Sequence, residues 1–526
     1  MAMVQDVGEF LRLVLILVLI PLVLLKVGRK ASGNGAGQLR LPPGPWRLPV
    51  IGSLHHLLGK PLLHRAMADL ARRNDAPLMY LKLGEVPFVV ASSPTAAREI
   101  LKAQDVNFAS RPWTPTLRVM MADGKGLAFA PYGAHWRRLR KICVLELLGP
   151  RRVQSFRRVR EEEVARLLAA VAAEAAAAAA VNVSERAAVL ITDTTVRAMI
   201  GDRFERRDEY LEGVTEVGKL LLGFSLGDLF PSSRLANLVS GTARRAEASH
   251  LKMFELMDCA IRQHQERKAA SMDRGGGDDD ILDVLLRIQK EEGDDVPLTM
   301  GDVKDTILDL FAAGTETSTA TLQWAMAEVA RNPRVLHKAQ AELRSKLRGK
   351  ATVDEDDLVG VSYLKLVIKE TLRLHPAAPM LIPRECGETC KVLGFDVPKG
   401  ANVLVNAWAI GRDPGHWDEE EAFKPERFEG SHGGLVDFRG IDMGYIPFGS
   451  GRRMCPGVAF AHAIVELALA ALLYHFDWEL LPGGGELDMS EEPGVVVRPR
   501  KDVRLRAVVR VPPPRAGEEG AARRCP

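Results

Sequence analysis

The segment PFGSGRRMCPG, Pro447–Gly457, constrains this chain more than any other part of it. A single cysteine, Cys455, stands between an arginine pair and a proline, and the apolar run VAFAHAIVELALAALL follows at once. Pro456 suits the first position of a helix, so the spacing predicts Cys455 as the N-cap of a buried helix. A sulfur there faces the positive end of the helix dipole and unpaired N–H groups, both of which favour thiolate over thiol. Gly449, Gly451 and Gly457 carry no Cβ and let backbone approach a flat ligand closely, while Arg453 adds positive charge. A buried cysteine taken alone is usually a small inert hydrophobe. Its surroundings are what argue for a ligating sulfur here.

The chain has 526 residues, 47% of them hydrophobic, enough for a large core. No internal repeat and no long linker divides it, so one large domain is expected. Lys and Arg number 71 against 68 Asp and Glu, a net +3 that implies no nucleic-acid partner. Six cysteines at irregular positions make no disulfide framework for a chain this long and point to a reducing compartment. Beyond residue 60 the pattern is mostly helical, with β-like runs at Leu78–Leu83, Phe88–Ala91 and Val403–Val405. The expected class is mainly α with minor β.

Residues Leu13–Leu25 are unbroken apolar and are followed by Lys26, Arg29 and Lys30. The run is short against the roughly 20 residues of a spanning helix, and Arg12 would have to snorkel. A cleaved signal peptide carries its positive charge before the apolar run, whereas here Asp6 and Glu9 precede it. An uncleaved anchor over 1–30 is the preferred reading, with the main body on the cytosolic side of its basic flank. A polar and proline-rich hinge (31–52) follows, in which Pro42, Pro43, Pro45 and Pro49 stop any helix. The catalytic domain is then expected over 53–511 and a disordered tail over 512–526.

Three further constellations bear on chemistry. In KETLRLHP, Glu370 and Arg373 share one helical face; the bland alternative is a surface ion pair. A long amphipathic helix is expected from about Gly301 to Asn332, closed by Pro333, and its middle reads AAGTETS, Ala312–Ser318. Gly314 inside a helix costs about 1 kcal/mol, so a local rule is broken there. Taken without the cysteine segment, its hydroxyls simply bond back to the preceding turn. In HWRRLRK, Trp136 and Arg140 lie four apart on one face, while Arg137, Arg138 and Lys141 point elsewhere, either as a basic face for an acidic partner or as solvated charge.

Phe448, Gly451, Arg453, Cys455 and Gly457 match every fixed position of FxxGxRxCxG, and the chain therefore resembles the cytochromes P-450. Glu370 and Arg373 resemble the ExxR helix of that family, and PERF, Pro425–Phe428, resembles the segment that supplies its partner, Arg427. The order of the motifs along the chain is also the family's. The resemblance implies a single large haem domain in which Cys455 is the proximal thiolate ligand of haem b, a ligation that favours O–O cleavage. It implies that Ala313 and Gly314 leave room for dioxygen and that Thr317 with Glu316 relays protons. Trp136, Arg140 and Arg384 are the implied partners of the haem propionates, to which a guanidinium fork is suited, and Arg453 and Phe448 are implied to be haem-binding.

The details AGTET, PERF and PPGPWRLPVIG look most like plant A-type microsomal enzymes, and LQWAMAEV looks like grass members that oxidise terpenoids. The implied reaction is NADPH-driven monooxygenation of a hydrophobic substrate, a sesquiterpene or diterpene. Electrons would come from a separate NADPH-cytochrome reductase, with cytochrome b5 as a further donor, at the endoplasmic reticulum membrane, since no flavin or nicotinamide fingerprint follows. Substrate contact is expected from Arg111–Phe129, the pocket side of the Thr317 helix, Ala377–Ile382 and Gly494–Val497. Aromatic or amino-acid-derived substrates stay open, as do a reductase-independent isomerase or dehydratase and a haem-binding scaffold. Cys386 and Cys390 lack further ligands at zinc spacing and are expected to be structural.

Overall fold

The computed structural model describes residues 39–121, 126–220, 225–271, 279–291, 298–430, 438, 440–483 and 485–513. The expected anchor, the first part of the hinge and most of the expected tail lie outside the described residues. Helices that frame the core and the site include α1 (Ala134–Ile142), α2 (Arg157–Ala176), α3 (Val183–Ile200), α4 (Arg207–Leu220), α5 (Thr242–Ser271), α6 (Met300–Arg331), α7 (Pro333–Lys346), α8 (Tyr363–Leu374) and α9 (Val458–His475). Mainly α with minor β is what forms.

Helix α6 organises the rest. At 32 residues it runs about 48 Å. Its start is fixed by a capping box, in which the Thr299 hydroxyl accepts the Asp302 N–H at 3.1 Å and Asp302 accepts the Thr299 N–H at 2.9 Å. It ends at Asn332 because Pro333 cannot continue it and instead opens α7. The C-terminal half of α6 packs Leu322, Trp324, Ala325 and Met326 against Leu467–Leu473 of α9 and Val367 and Ile368 of α8. Helix α9 is apolar all round, and that composition is stable only inside a core. It is the described helix long and apolar enough to cross a membrane, yet its residues from Ile464 to His475 are buried in protein.

The main sheet lies to one side. Strands β1 (Leu78–Leu83) and β2 (Val86–Ala91) form a hairpin pairing Leu78 with Ala91. Strand β4 (Asn402–Val405) runs parallel to β2, and the two-residue β3 (Arg384–Glu385) pairs antiparallel to β4, with Arg384 opposite Val403. The order β1-β2-β4-β3 puts Arg384 on the sheet's inner edge.

The Glu370–Arg373 pair is no surface pair, because neither side chain has any exposure. Arg373 grips both carboxylate oxygens, Nε to Oε2 at 2.8 Å and a terminal nitrogen to Oε1 at 2.9 Å. Arg427 Nε joins Oε1 at 2.9 Å, and the Lys424 N–H donates to the same oxygen at 2.8 Å. The remaining guanidinium donors go to backbone: Arg373 to Gly411, Glu420 and Ala422, and Arg427 to Asp418, Glu419 and Ala422. Removing one partner would strand a buried charge at a cost of about 3–5 kcal/mol. Glu370→Ala and Arg373→Ala are therefore expected to lose most soluble folded protein, and Arg373→Lys, which keeps the charge but not the fork, to lower the thermal midpoint markedly. A midpoint within a degree or two of the parent would contradict this.

Candidate active site

The cysteine segment is a tight loop held by its own backbone. The Cys455 N–H donates to the Phe448 carbonyl at 3.0 Å and the Met454 N–H to the Gly451 carbonyl at 3.0 Å. Gly451 has φ +72°, and a Cβ there would lie 2.2 Å from the Leu101 carbonyl oxygen, so only glycine allows this approach. The predicted cap is displaced: α9 begins at Val458 with Gly457 as N-cap, two residues after Cys455, and Pro456 lies in the intervening turn. The Cys455 sulfur accepts the Gly457 N–H and lies near Arg140, yet burial outweighs both and pushes the thiol up from its usual range. The Gly457 N–H and Arg140 favour the thiolate, and burial opposes them.

Protein atoms crowd Cys455 on nearly every side, yet it keeps accessible surface, as a side chain on the wall of an internal space does. Ala313 does the same on α6, exposed in the middle of a largely buried helix. On a 3.6-residue repeat Asp309, Ala313, Glu316 and Ala320 share one face, with Thr317 on its flank. Glu316 and Thr317 are half-buried. The Thr317 hydroxyl donates to the Ala313 carbonyl at 2.6 Å, the back-bonded arrangement, which leaves its oxygen lone pairs free in principle to accept. A Cβ on Gly314 would meet Thr195 of α3 at 3.5 Å, so this glycine faces α3 while Ala313 faces the open space.

Buried arginines crowd the neighbouring wall. Arg384 donates to the Ser450 carbonyl at 3.0 Å and to Asp105 at 3.3 Å. Arg453 gives its Nε to the Ala109 carbonyl at 2.7 Å, another nitrogen to Leu127 at 3.3 Å and a third to Ala130. Its carbon lies 4.3 Å from the ring centre of Trp136, whose indole N–H donates to the Leu127 carbonyl at 3.2 Å. Arg111, which the sequence offered only as the start of a substrate segment, donates to the carbonyls of Ala128, Ile382 and Pro383. Burial, then repulsion by Arg384 and Arg140, pulls Arg453 down to about 9. Arg111 is pulled down by burial and by Arg453 and Arg384. Arg384 and Arg140 are also lowered, burial first. Asp105 offers this group one carboxylate. The wall therefore carries a surplus of desolvated positive charge that an anionic ligand would relieve.

The expected substrate segments converge. The Val497 N–H donates to the Ala377 carbonyl at 2.9 Å and the Val497 carbonyl accepts Trp324 Nε1 of α6 at 3.1 Å. Leu381, at φ +49°, places its Cδ1 3.6 Å from where a Cβ on Gly449 would be, against the cysteine loop. Thr116, in the 111–129 segment, gives its N–H and hydroxyl to Asp228 at 3.1 and 2.8 Å. Residues 122–125 lie outside the described residues. Cys386 and Cys390 are free thiols at the sheet margin, away from any metal-ligand cluster among the described residues.

The cytochrome P-450 family model matches residues 42–506. The chain is 47% identical to dolabradiene monooxygenase of Zea mays over 90% of itself and 94% of that relative. It is 46% identical to zealexin A1 synthase of Zea mays, over 90% and 94%, and 46% identical to ent-cassadiene hydroxylase of Oryza sativa subsp. japonica, over 90% and 93%. A solved zebra fish cytochrome P-450 with abiraterone superposes with a TM-score of 0.69 at 25% identity, over 85% of this chain and 100% of that one. A loop-held cysteine beside an arginine-rich internal wall, on a fold and sequence shared at this level, places the chain in the cytochrome P-450 family of haem-dependent monooxygenases, which use O2 and NADPH-derived electrons.

Proposed function

We propose that this chain inserts one oxygen atom of O2 into a sesquiterpene or diterpene, with electrons passed from NADPH by a separate reductase. The observation that carries the chemistry is the pairing of an accessible Cys455 with a wall of desolvated arginines inside the protein. A flat dianionic iron porphyrin suits both: the sulfur would hold the iron, and the propionates would answer the charge surplus. Cys455 would hold the iron, Arg384, Arg453 and Arg140 would hold the propionates, Trp136, whose one N–H goes to Leu127, would back Arg453 with its ring, and Phe448 would back the haem. Haem, when bound, supplies the activation of dioxygen. The relatives named for terpenoid oxidation support the substrate class, as does the apolar character of Ala313, Leu381 and Ile382 around the space.

The chain's own part in the reaction lies on α6. The Thr317 hydroxyl spends its proton on the Ala313 carbonyl, so its oxygen is the acceptor that can hold a water in the cleft. Glu316, half-buried on the same turn, connects that water to bulk protons. The small Ala313 keeps the space open where a larger side chain would fill it, whereas Gly314 faces α3 and is not part of that opening.

Placement at the endoplasmic reticulum membrane by the apolar run at 13–25 is part of the same proposal. Trp46, Leu58, Leu235, Leu238 and Val239 are exposed apolar residues near the cluster that buries Leu57 and Leu229, a surface consistent with a bilayer. Cytochrome b5 is the proposed second donor.

Two experiments test the proposal. The reduced, carbon-monoxide-bound difference spectrum of the full chain should show a strongly red-shifted Soret band that Cys455→Ser abolishes; folded protein without haem would refute the assignment. Thr317→Ala, assayed with reductase and candidate terpenoids, should lower product formed per NADPH consumed by on the order of 10²-fold while NADPH consumption continues. Unchanged coupling would remove Thr317 from the proton path, whereas product formed without reductase and NADPH would favour a rearrangement.

A further inference from the structure

Asp309 lies one turn before Ala313 on α6, half-buried, and the functional assignment above gives it no role. Its Oδ2 accepts the Ala128 N–H at 2.9 Å, and the Leu127 N–H also donates to this carboxyl. The Leu127 carbonyl belongs to the same peptide unit as the Ala128 N–H. That carbonyl accepts Trp136 Nε1 at 3.2 Å and Arg453 at 3.3 Å. In a planar trans peptide the N–H and C=O point in opposite directions, so fixing one fixes the other. One peptide unit thus joins a half-buried carboxyl on the helix to a half-buried guanidinium and a buried indole on the arginine wall. The next carbonyl, Ala128, holds Arg111 at 3.1 Å. Gly126 is shaped for this contact, since a Cβ there would lie 2.7 Å from Asp309 Oδ2.

We propose that Asp309 is a positioning residue for the haem-binding wall: by anchoring the Leu127–Ala128 peptide it fixes Trp136 and Arg453 in place on that wall and ties the wall to the helix that carries Thr317. This rests on the haem assignment above. The anchor is strongest when Asp309 is ionised, because an N–H bond to a carboxylate is roughly twice as strong as one to a neutral acceptor.

Burial raises the Asp309 carboxyl to about 6, against which the two N–H donors act. The groups around it do not titrate there. Tyr210 of α4 is raised well above its usual value, and Cys143, just after α1, is pushed up to about 12. Arg453, at about 9, and Arg111 face it only through the loop carbonyls. Asp305 lies one turn earlier on α6, and a substitution confined to position 309 separates its contribution. The sign follows. A carboxyl raised in the folded state makes the fold hold an extra proton between the ordinary Asp range and about 6, so its contribution to global stability falls as pH rises through that window. Anchoring of the loop runs the other way and weakens as pH falls through about 6.

The test is the rate at which the full-length holoprotein loses haem to excess apomyoglobin, followed across pH. Wild type should release haem faster as pH falls through about 6. Asp309→Asn should still give the red-shifted carbon monoxide band, lose haem about tenfold faster near neutral pH, and show no step in that range. Gly126→Ala, which displaces the carboxyl without changing its chemistry, should also speed release. A wild-type profile flat through that range, or an Asp309→Asn variant that keeps the wild-type rate and step, overturns the proposal. Should Asp309→Asn yield no holoprotein, the wild-type profile and Gly126→Ala decide. Absence of the band from folded wild type would instead count against the haem assignment itself.

Discussion

A fully enclosed carboxylate, Glu370, sets the position of nearly everything behind the cysteine loop. Its two arginines turn five backbone carbonyls between Gly411 and Ala422 inward, so that stretch has little freedom to lie anywhere else. Trp417, in the middle of it, packs against both guanidinium carbons at 5.3 and 5.9 Å and donates its indole N–H to Gly444 at 3.2 Å. Tyr445, next along, donates to the Lys369 carbonyl at 3.1 Å beside Glu370. Three residues further, the Phe448 carbonyl receives the Cys455 N–H. The sulfur's place is therefore reached through rigid links from one buried ion cluster. Such a cluster repays its desolvation only when every donor is satisfied, and here the donors are satisfied by the very segment they must hold.

The arginine wall follows a different logic. The Glu370 cluster sets its carboxylate directly against both of its guanidiniums, whereas Arg111, Arg140, Arg384 and Arg453 have only Asp105 between them, and each depresses its neighbours or is depressed by burial. Their forks are held by carbonyls of residues 109, 127, 128, 130, 382, 383 and 450, all loop backbone. A fold that tolerates such a surplus gives up stability in the protein alone and regains it on binding an anion. A similar tension acts at Cys455, where burial opposes the charge that the Gly457 N–H and Arg140 favour.

What the sequence disclosed follows from how local each cause is. The bounds of α6 were legible because Thr299, Asp302 and Pro333 act within a turn of the ends they set. The β runs at 78–83 and 403–405 were legible from composition, and the Glu370–Arg373 pairing from spacing alone. The burial of that pair was not, because it depends on carbonyls some 40 residues away. The cap on α9 was misplaced by two residues because Pro456 satisfies the rule for a first helical position equally well in a turn. Asp309 and Arg111 carried no usable signal. A lone acid on an amphipathic helix and an arginine before a proline are ordinary, and their partners, at Ala128 and Ile382, are backbone atoms that no residue type announces.

Helix α6 shows why such a site breaks local rules without breaking the fold. Its C-terminal half is anchored on all sides by α8, α9 and the Trp324–Val497 bond, which leaves the middle free to carry residues a core would reject. The exposed methyl of Ala313 forfeits packing, Gly314 forfeits propensity, and Thr315, Thr317 and Thr321 each turn a hydroxyl back onto the helix's own carbonyls. Each of these weakens the helix by a modest amount. Asp309 and the Ala128 N–H act in the opposite sense, tying the start of the weak stretch to the loop that faces it. A helix long enough to be secured at both ends can keep an open, polar middle, and an oxygen-activating cleft requires a middle of that kind.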